Sequence, residues 1–304
     1  MSGGGNLAVP MEWSLRSRLA DYVELTKPRL TFFVIVTAAF GYWLGAGNET
    51  SWILFAEFVV GAWLMAGGSA ALNQVLERDL DAGMRRTANR PVASGRLGVT
   101  ESLFVSVAIS VLGLTALWVS FGSYTAFLGA LSLAIYIFAY TPLKTRTTFN
   151  THVGAVVGAL PPLMGWVAAT GSAAGGGWDL FALLFIWQLP HFLLIAWFCR
   201  EDYERVGMKM LSVFDDEKGS MTYRQVLWSS VVMVPISLLP VRSGIGGNFS
   251  FWMALILGIV VVAMALRLVW KPERTSGRRL FLVLLAYLPL YFGGLLIDRL
   301  WILS

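Results

Sequence analysis

An amide and two carboxylates at regular spacing close one of the long apolar runs in this 304-residue chain. Asn73, Glu77 and Asp81 lie four residues apart. On an α-helix, residues at this spacing are turned by only about 40° from one another, so the three side chains form one stripe. Proteins usually bind Mg²⁺ through one or two carboxylates together with the oxygens of a phosphorylated substrate. The spacing therefore predicts a site for Mg²⁺ and a diphosphate.

Basic residues follow the stripe directly. A guanidinium group can bind two phosphate oxygens at once, so we expect these side chains to neutralise the diphosphate charge that Mg²⁺ does not. Asp79 lies about 200° around the helix from Glu77, and we expect it to point away from the site and to pair with Arg78 or a neighbouring loop. The predicted diphosphate ligands in this segment are Arg85, Arg86 and Arg90.

A second charged segment, 199–224, follows another apolar run. Arg200 and Asp202 lie nearest to the apolar end of this segment, and we predict that they are a further diphosphate ligand and a further metal ligand. Glu201 and Arg205 are spaced to pair with each other on a helix surface, which is an alternative to a role in substrate binding.

A third candidate element is the sequence Tyr140-Thr-Pro-Leu-Lys144. Pro142 is expected to end the preceding helix, which would hold Lys144 at the membrane interface beside the charged segments. A lone lysine at this position has a second interpretation, as an anchor whose ammonium extends to the lipid headgroups.

His191 lies about two turns inside the apolar run before the second charged segment. An ionisable group within a membrane helix is a candidate functional residue. The imidazole could bind a metal, form a hydrogen bond with a neighbouring helix or ligate a haem iron, and the sequence leaves these alternatives open.

The composition places the chain in a lipid bilayer. Hydrophobic residues make up 57% of the sequence, charged residues 13%, and the mean hydropathy is +0.67. Nine apolar runs are long enough to cross a bilayer, and because they do not alternate, they predict helices and exclude a barrel. We therefore predict an all-α integral membrane protein with a bundle of nine transmembrane helices. The runs are 30–46, 52–72, 103–121, 124–140, 153–170, 180–198, 226–241, 251–269 and 280–297.

The distribution of basic residues predicts the orientation. With a cytoplasmic N-terminus, all of the 23 Lys and Arg residues except Arg242 and Arg299 fall on the inside, which fits the positive-inside rule. The net charge of +5 then reflects topology and anionic lipids, and it gives no support for nucleic-acid binding. We predict one membrane domain, 1–304, in which 1–26 is a cytoplasmic N-terminal segment. The predicted cytoplasmic active-site loops are 73–101 and 199–224.

The N-terminal residues bear on the source membrane. The sequence before the first apolar run has neither the pattern of a removable signal peptide nor that of an Arg-rich, acid-poor transit leader. We therefore expect a multi-pass protein of a bacterial inner membrane, with its active site facing the cytoplasm.

Several separated motifs, in the same order, resemble the UbiA superfamily of intramembrane aromatic prenyltransferases, and most closely its haem-farnesylating branch. The stripe resembles the first acidic motif of the superfamily, although many members have Asn-Asp where this chain has Asn73-Gln74. The second motif lacks a complete Asp-x-x-x-Asp pattern. The matching pieces are Glu24 to Arg29, Asn73 to Pro91, Tyr140 to Asn150, Gly158 to Trp166, and His191 to Tyr203.

The resemblance implies transfer of a farnesyl group from farnesyl diphosphate to a vinyl group of protoheme IX, which gives haem O. It implies a Mg²⁺-dependent enzyme that could work beside a haem A synthase or a terminal oxidase. Tyr140 and Trp187 would line a cavity that shields the allylic cation, and His191 would contact the haem. The implied catalytic residues are Asn73, Glu77, Asp81, Tyr140 and Lys144, and Lys144 is also an implied diphosphate ligand. The implied metal ligands are Asn73, Glu77, Asp81 and Asp202.

Two other functional classes are consistent with parts of the sequence. A related prenyltransferase could use a quinone precursor or a chlorophyllide as its acceptor. A transporter would be expected to carry charges near the bilayer midplane on several spans, whereas nearly all charges of this chain lie at the ends of the apolar runs. The sequence therefore favours the enzyme over the transporter.

Overall fold

The computed structural model describes residues 15–47 and 51–302, and in those ranges its regular secondary structure is helical. Eight of the helices described are long and apolar enough to cross a membrane. The fold class predicted from the sequence is confirmed. These eight are α2 (Pro28–Ala46), α3 (Trp52–Leu76), the segment that begins with α5 (Val99–Ala134), α7 (Asn150–Thr170), α8 (Gly177–Phe198), the segment that begins with α10 (Ser220–Ile236), α12 (Asn248–Trp270) and α13 (Arg274–Ile302).

The segment Val99–Leu143 differs from the two separate runs predicted there. It comprises α5, a π-helical turn (Ile135–Tyr140) and α6 (Thr141–Leu143), 45 residues in all. At 1.5 Å per residue this length is about 68 Å, roughly twice the hydrocarbon thickness of a bilayer. Gly122 breaks the helical geometry within it, with φ 80° and ψ 179°, a conformation that glycine adopts readily. A reversal of direction at Gly122 would give nine crossings, and that count and the cytoplasmic N-terminus stay predictions.

Short helices connect some of the long ones: α1 (Leu15–Leu25), α4 (Arg78–Gly83), α9 (Arg200–Arg205) and α11 (Leu239–Arg242). Leu15, Leu19 and Val23 lie on one face of α1 and are 78%, 57% and 59% exposed. An amphipathic helix with an uncovered apolar face is typical of the membrane interface, so α1 is best explained as a helix lying along the bilayer surface. The Gly-rich start of the chain, Met1 to Gly5, lies outside the described residues.

Helices α2 and α7 pack closely because glycines face backbone at both contact points. A Cβ at Gly41 would lie 2.0 Å from the carbonyl oxygen of Pro162, and one at Gly165 would lie 2.0 Å from that of Ala38. Small residues allow such close approach between helices in a membrane. The packing joins the N-terminal part of the bundle, which carries the acidic stripe, to α7 and α8.

We expect Gly41→Ala to destabilise the fold, because the added methyl group meets backbone that cannot rotate away. The expected loss is about 2 kcal/mol or more in the free energy of unfolding, measured in mixed detergent micelles. Gly293→Ala in α13 is the matched control, since its Cβ would have no atom within 4 Å. An equal loss in both variants would contradict the packing argument.

Candidate active site

The acidic stripe lies across a break between α3 and α4. The sequence predicted one continuous helix, but α3 ends at Leu76 and Glu77 adopts φ −95° and ψ 13° before α4 begins. Backbone hydrogen bonds of the helical type nevertheless continue across the break, from Glu77 N to Asn73 O at 2.9 Å and from Asp81 N to Glu77 O at 2.7 Å. The predicted four-residue spacing is therefore kept, and the three side chains are almost fully buried.

Two lysines from distant parts of the chain bind the first two polar groups of the stripe. The ammonium of Lys27 donates to Oδ1 of Asn73 at 2.7 Å, and that of Lys144 lies 2.6 Å from Oε1 of Glu77. The side chains of Lys144 and Glu77 are only 10% and 4% exposed. A buried pair of this kind is tightly coupled, because neither charge has water to replace its partner.

An arginine binds the third group. The guanidinium NH1 of Arg90 donates to both carboxylate oxygens of Asp81 at 2.7 Å. The hydroxyl of Thr87 donates to the backbone carbonyl of Asp81 at 2.9 Å, which ties the loop after α4 to the end of the stripe. Asp79 is 85% exposed and pairs with Arg78 at 2.9 Å, so it points away as the sequence predicted.

The position of Lys144 depends on the π-helical turn before it. The hydroxyl of Thr141 donates to the carbonyl of Tyr136 and accepts a hydrogen bond from Nδ2 of Asn73 at 3.2 Å. The rings of Tyr136 and Tyr140 are stacked with their centroids 5.7 Å apart, and the Lys144 ammonium lies 4.5 Å from the centre of the Tyr140 ring. Turns of this type occur frequently at functional sites.

The second charged segment packs beside the first. The amide of Lys209 donates to the carbonyl of Lys144 at 2.6 Å, and Nδ2 of Asn150 donates to the carbonyl of Lys209 at 2.9 Å. Oδ1 of Asp202 accepts from the backbone amide of Arg85 at 3.4 Å and from Arg205 at 3.1 Å. The two loops that the sequence grouped together are therefore in contact.

Four of the predicted residues, Arg86, Trp187, His191 and Arg200, lie outside the hydrogen-bond network of the stripe. Arg200 donates to the carbonyls of Asp215 and Asp216 and stacks on Trp197, so the structure does not bring its guanidinium to the stripe. Arg86 is exposed beyond α4. His191 lies between the rings of Trp187 and Phe281, at centroid distances of 5.1 and 4.9 Å. Trp187, expected to line a cavity with Tyr140, instead donates to the Leu284 carbonyl of α13 at 2.9 Å.

Burial and the neighbouring charges change the acidity of both lysines. Burial, together with the positive charges of Arg90 and Lys144, lowers the pKa of Lys27 to about 7 against the opposing effect of Glu77 and Asp81. Burial also acts to lower the pKa of Lys144, but the charges of Tyr140 and Glu77 and the hydrogen bond that Lys144 donates to Glu77 outweigh it and hold that pKa above its ordinary value. Lys144 is therefore a stable cation at the carboxylate.

Comparison with known proteins places this arrangement in a family. The model of the UbiA prenyltransferase family matches residues 34–289. The chain belongs to the UbiA prenyltransferase family. A protoheme IX farnesyltransferase of Solibacter usitatus is 40% identical to this UbiA protein over 290 residues, covering 92% of this chain and 99% of the relative. One of Koribacter versatilis is 38% identical over 307 residues, covering 96% and 97%.

Solved structures share the UbiA fold. The apo structure of a UbiA homolog from Aeropyrum pernix K1 superposes with a TM-score of 0.70 at 18% identity, covering 89% of this chain and 98% of that one. A UbiA homolog from Archaeoglobus fulgidus, bound to GPP and Mg²⁺, gives a TM-score of 0.63 at 13% identity, covering 90% and 99%. These likenesses support the fold alone.

The donor set of this UbiA site fits Mg²⁺ by its chemistry. Among residues 15–47 and 51–302, no three His, Cys, Asp or Glu side chains gather as a self-sufficient metal site. Two carboxylates and an amide oxygen do lie in one stripe, and Mg²⁺ typically takes one or two carboxylates and completes its shell with water and phosphate oxygens. Glu77, Asp81 and Asn73 therefore suit a metal that arrives with a diphosphate.

Sequence reasoning gave no role to Lys27 or Gln74. Lys27 has φ 49° and ψ 60°, and no other non-glycine residue in the described ranges has a positive φ. Nε2 of Gln74 donates to the carbonyls of Glu24 and Leu25 at 3.2 and 2.9 Å, so it satisfies the C-terminal end of α1 and fixes the corner before Lys27. Gln74 thus has a structural role at the position where the sequence departs from the superfamily motif. The sequence signals for Lys27 were the proline that follows it and its place in the matching piece Glu24 to Arg29.

Proposed function

We propose that this UbiA protein transfers the farnesyl group of farnesyl diphosphate to a vinyl group of protoheme IX, giving haem O and diphosphate. The observation that carries the proposal is the stripe of Asn73, Glu77 and Asp81, in which each polar group is held by a separate cation at the end of α3. The names of relatives with 40% and 38% identity over nearly the whole chain support haem as the acceptor.

The first chemical step breaks the bond between C1 of the farnesyl chain and the diphosphate oxygen, and the electron pair leaves with the diphosphate. Asn73, Glu77 and Asp81 would hold Mg²⁺, which supplies charge neutralisation for the leaving group when it is bound. Lys144 and Arg90 lie directly beside the two carboxylates and would stabilise the charge that develops on the phosphate oxygens.

The second step joins the allylic cation to the vinyl carbon of the haem. Tyr136 and Tyr140 lie about two turns and one turn before Lys144, and their rings would provide an aromatic surface near the cation. The vinyl π electrons form the new C–C bond, and the cation left on the adjacent carbon takes up water and releases a proton. This sequence accounts for the hydroxyl group of haem O.

Of the remaining predicted site residues, some are kept in the proposal and one is removed. Asp202 is a further metal-ligand candidate, since it lies beside the backbone of Arg85. Arg85 and Arg86 stay predictions as diphosphate ligands, whereas Arg200 is removed from that set because it holds backbone carbonyls elsewhere. His191 is proposed to contact the haem, because its Nδ1 is buried and makes no hydrogen bond within the described part of the chain.

The location of the enzyme is also part of the proposal. We infer an N-terminus in the cytoplasm, nine crossings of a bacterial inner membrane, and loops 73–101 and 199–224 at a cytoplasmic active site. The positive-inside distribution of Lys and Arg supports this orientation. A haem A synthase or terminal oxidase in the same membrane would take up the product.

The test of the proposed function is the mass of haem extracted from cells. We expect that expressing the chain together with an oxidase that lacks its own haem-modifying enzyme yields haem heavier by a farnesyl group plus water. The control is the same strain with the Glu77→Gln variant. Unmodified haem together with a prenylated phenol, quinone precursor or chlorophyllide would show that the acceptor is wrong while the prenyl transfer is right.

A further inference from the structure

A polar groove of about 350 Å³ lies beyond the end of α8, on the side of that helix that faces α13. We call it the basic groove and define it by Arg200, Lys218 and Arg274, with Trp197 and Phe198 as its aromatic wall. It is separate from the stripe at Glu77 and includes the arginine that the sequence had assigned to the diphosphate.

The loop that forms one side of the basic groove is held firmly. The carboxylate of Asp215 accepts from the amides of Met221 and Thr222 at 2.9 and 2.6 Å, and that of Asp216 accepts from the amide of Lys218 at 3.0 Å. Arg200 donates to the carbonyls of both aspartates. Lys218 is therefore presented by a turn whose backbone is already ordered, which lowers the entropic cost of binding a ligand.

The charges of the groove favour an anion. Three basic residues line it with two carboxylates, Glu201 and Glu217. Neither Lys218 nor Arg274 takes part in any of the ion pairs formed among residues 15–47 and 51–302. Both cations are exposed, so they can reach a ligand at the mouth of the groove without breaking a bond to protein.

A continuous column of aromatic rings leads from the groove into the bundle. Phe198, in the wall of the groove, lies edge-on to Phe281 at 5.9 Å, and Phe281 stacks on His191 at 4.9 Å. A Cβ at Gly277 of α13 would lie 3.5 Å from the Phe198 ring, so this glycine leaves room for the ring between α8 and α13. Arg200 lies nine residues after His191, about 14 Å along a helix.

We infer that the basic groove binds the carboxylates of a flat, apolar acceptor whose ring system lies against Trp197 and Phe198, at the end of the column nearest to the groove. This inference rests on the proposed function and deepens it, since protoheme IX carries two propionate carboxylates on one edge of an apolar macrocycle. Lys218 and Arg274 bind the carboxylates, while Trp197 and Phe198 contact the ring system. The acceptor is thereby oriented with its vinyl edge away from the groove.

The experiment compares haem B with its dimethyl ester, in which both carboxylates are blocked. The purified full chain, in nanodiscs of neutral phosphatidylcholine, is titrated with each ferric compound and followed by absorbance. We expect haem B to bind about tenfold more tightly than the ester. In the double variant Lys218→Gln/Arg274→Gln this advantage falls to about twofold, while the Kd of the ester is unchanged.

The matched control is Arg278→Gln/Arg279→Gln, which removes two exposed arginines of α13 that do not line the groove. It should keep the tenfold advantage. The inference is overturned if haem B keeps its tenfold advantage over the ester in the groove variant, or has no advantage in the wild type. Neither result contradicts the proposed farnesyl transfer. The inference is also overturned if the groove variant no longer retains phosphatidylglycerol through purification but still binds haem B about tenfold more tightly than the ester. The groove would then be a lipid site. Failure to bind or modify any haem would overturn the proposed function as well.

Discussion

Replacing Asp81 with Asn is expected to lower the rate of farnesyl transfer by about 1,000-fold or more. The substitution keeps the shape of the side chain but removes the charge that a divalent metal requires. Asp81 is only 1% exposed, and its sole ionic partner in the described residues is Arg90, so water cannot replace the lost carboxylate. The measurement is haem O formation by the purified protein with farnesyl diphosphate and Mg²⁺.

Asp79→Asn is the control for this prediction. Asp79 lies two residues before Asp81 in the same short helix, but its carboxylate is 85% exposed, and its one ion pair within 15–47 and 51–302 is with the neighbouring Arg78. Removing the Asp79 charge should change the rate of farnesyl transfer by less than about twofold, because an exposed ion pair contributes little free energy. Undiminished activity of Asp81→Asn, or equal losses in both variants, would show that the stripe is not the metal site. Binding of Mn²⁺, followed by its paramagnetic resonance, gives a second readout.

The second prediction concerns the buried ion pair between Glu77 and Lys144. Glu77→Gln is expected to lower the free energy of unfolding by about 3 kcal/mol, because it leaves the ammonium of Lys144 buried without its carboxylate. The double variant Glu77→Gln/Lys144→Met should recover most of that loss, since it removes both buried charges. Unfolding of the purified variants in mixed detergent micelles measures this recovery.

Activity separates the two roles of the pair. If the carboxylate binds the metal, the double variant stays inactive although its stability returns. Recovery of both stability and turnover would mean that Glu77 serves the fold alone. Chelating the divalent metal from the wild-type protein should abolish farnesyl transfer. The free energy of unfolding of the protein should stay nearly unchanged, because Lys144 already neutralises Glu77.

Much of the fold could be predicted from local sequence. Long apolar runs specify membrane helices because unpaired backbone groups are costly in hydrocarbon, and most predicted bounds lie within a few residues of the helices described. The direction of Asp79 followed from helical geometry alone. The break between α3 and α4 at Glu77 could not be predicted from the sequence. Hydrogen bonds of the helical type continue across it, so the four-residue spacing of polar side chains is the same as in an unbroken helix.

The partners within the site depend on contacts between distant residues. Lys27 and Asn73 are 46 positions apart and Lys144 and Glu77 are 67 apart, so no spacing rule connects them. Arg200 had the right charge and the right helix end, but its guanidinium is directed by the carbonyls of a loop 15 residues further on. Residue type identified candidate ligands, whereas tertiary packing decides which of them meet.

The short helix α1 leads directly to Lys27, which binds Asn73 of the stripe. Its apolar face is exposed, as expected of a helix that lies along a bilayer surface, while Arg96 binds Asp21 and Glu24 and Gln74 donates to its last two carbonyls. Lys27 follows two residues after the end of α1 in a conformation that a non-glycine side chain adopts only under constraint. We therefore expect crowding or thinning of the lipid headgroups to shift Lys27 and its contact with Asn73 before it affects the centre of the bundle. A detergent micelle of different curvature should reproduce this effect only in part.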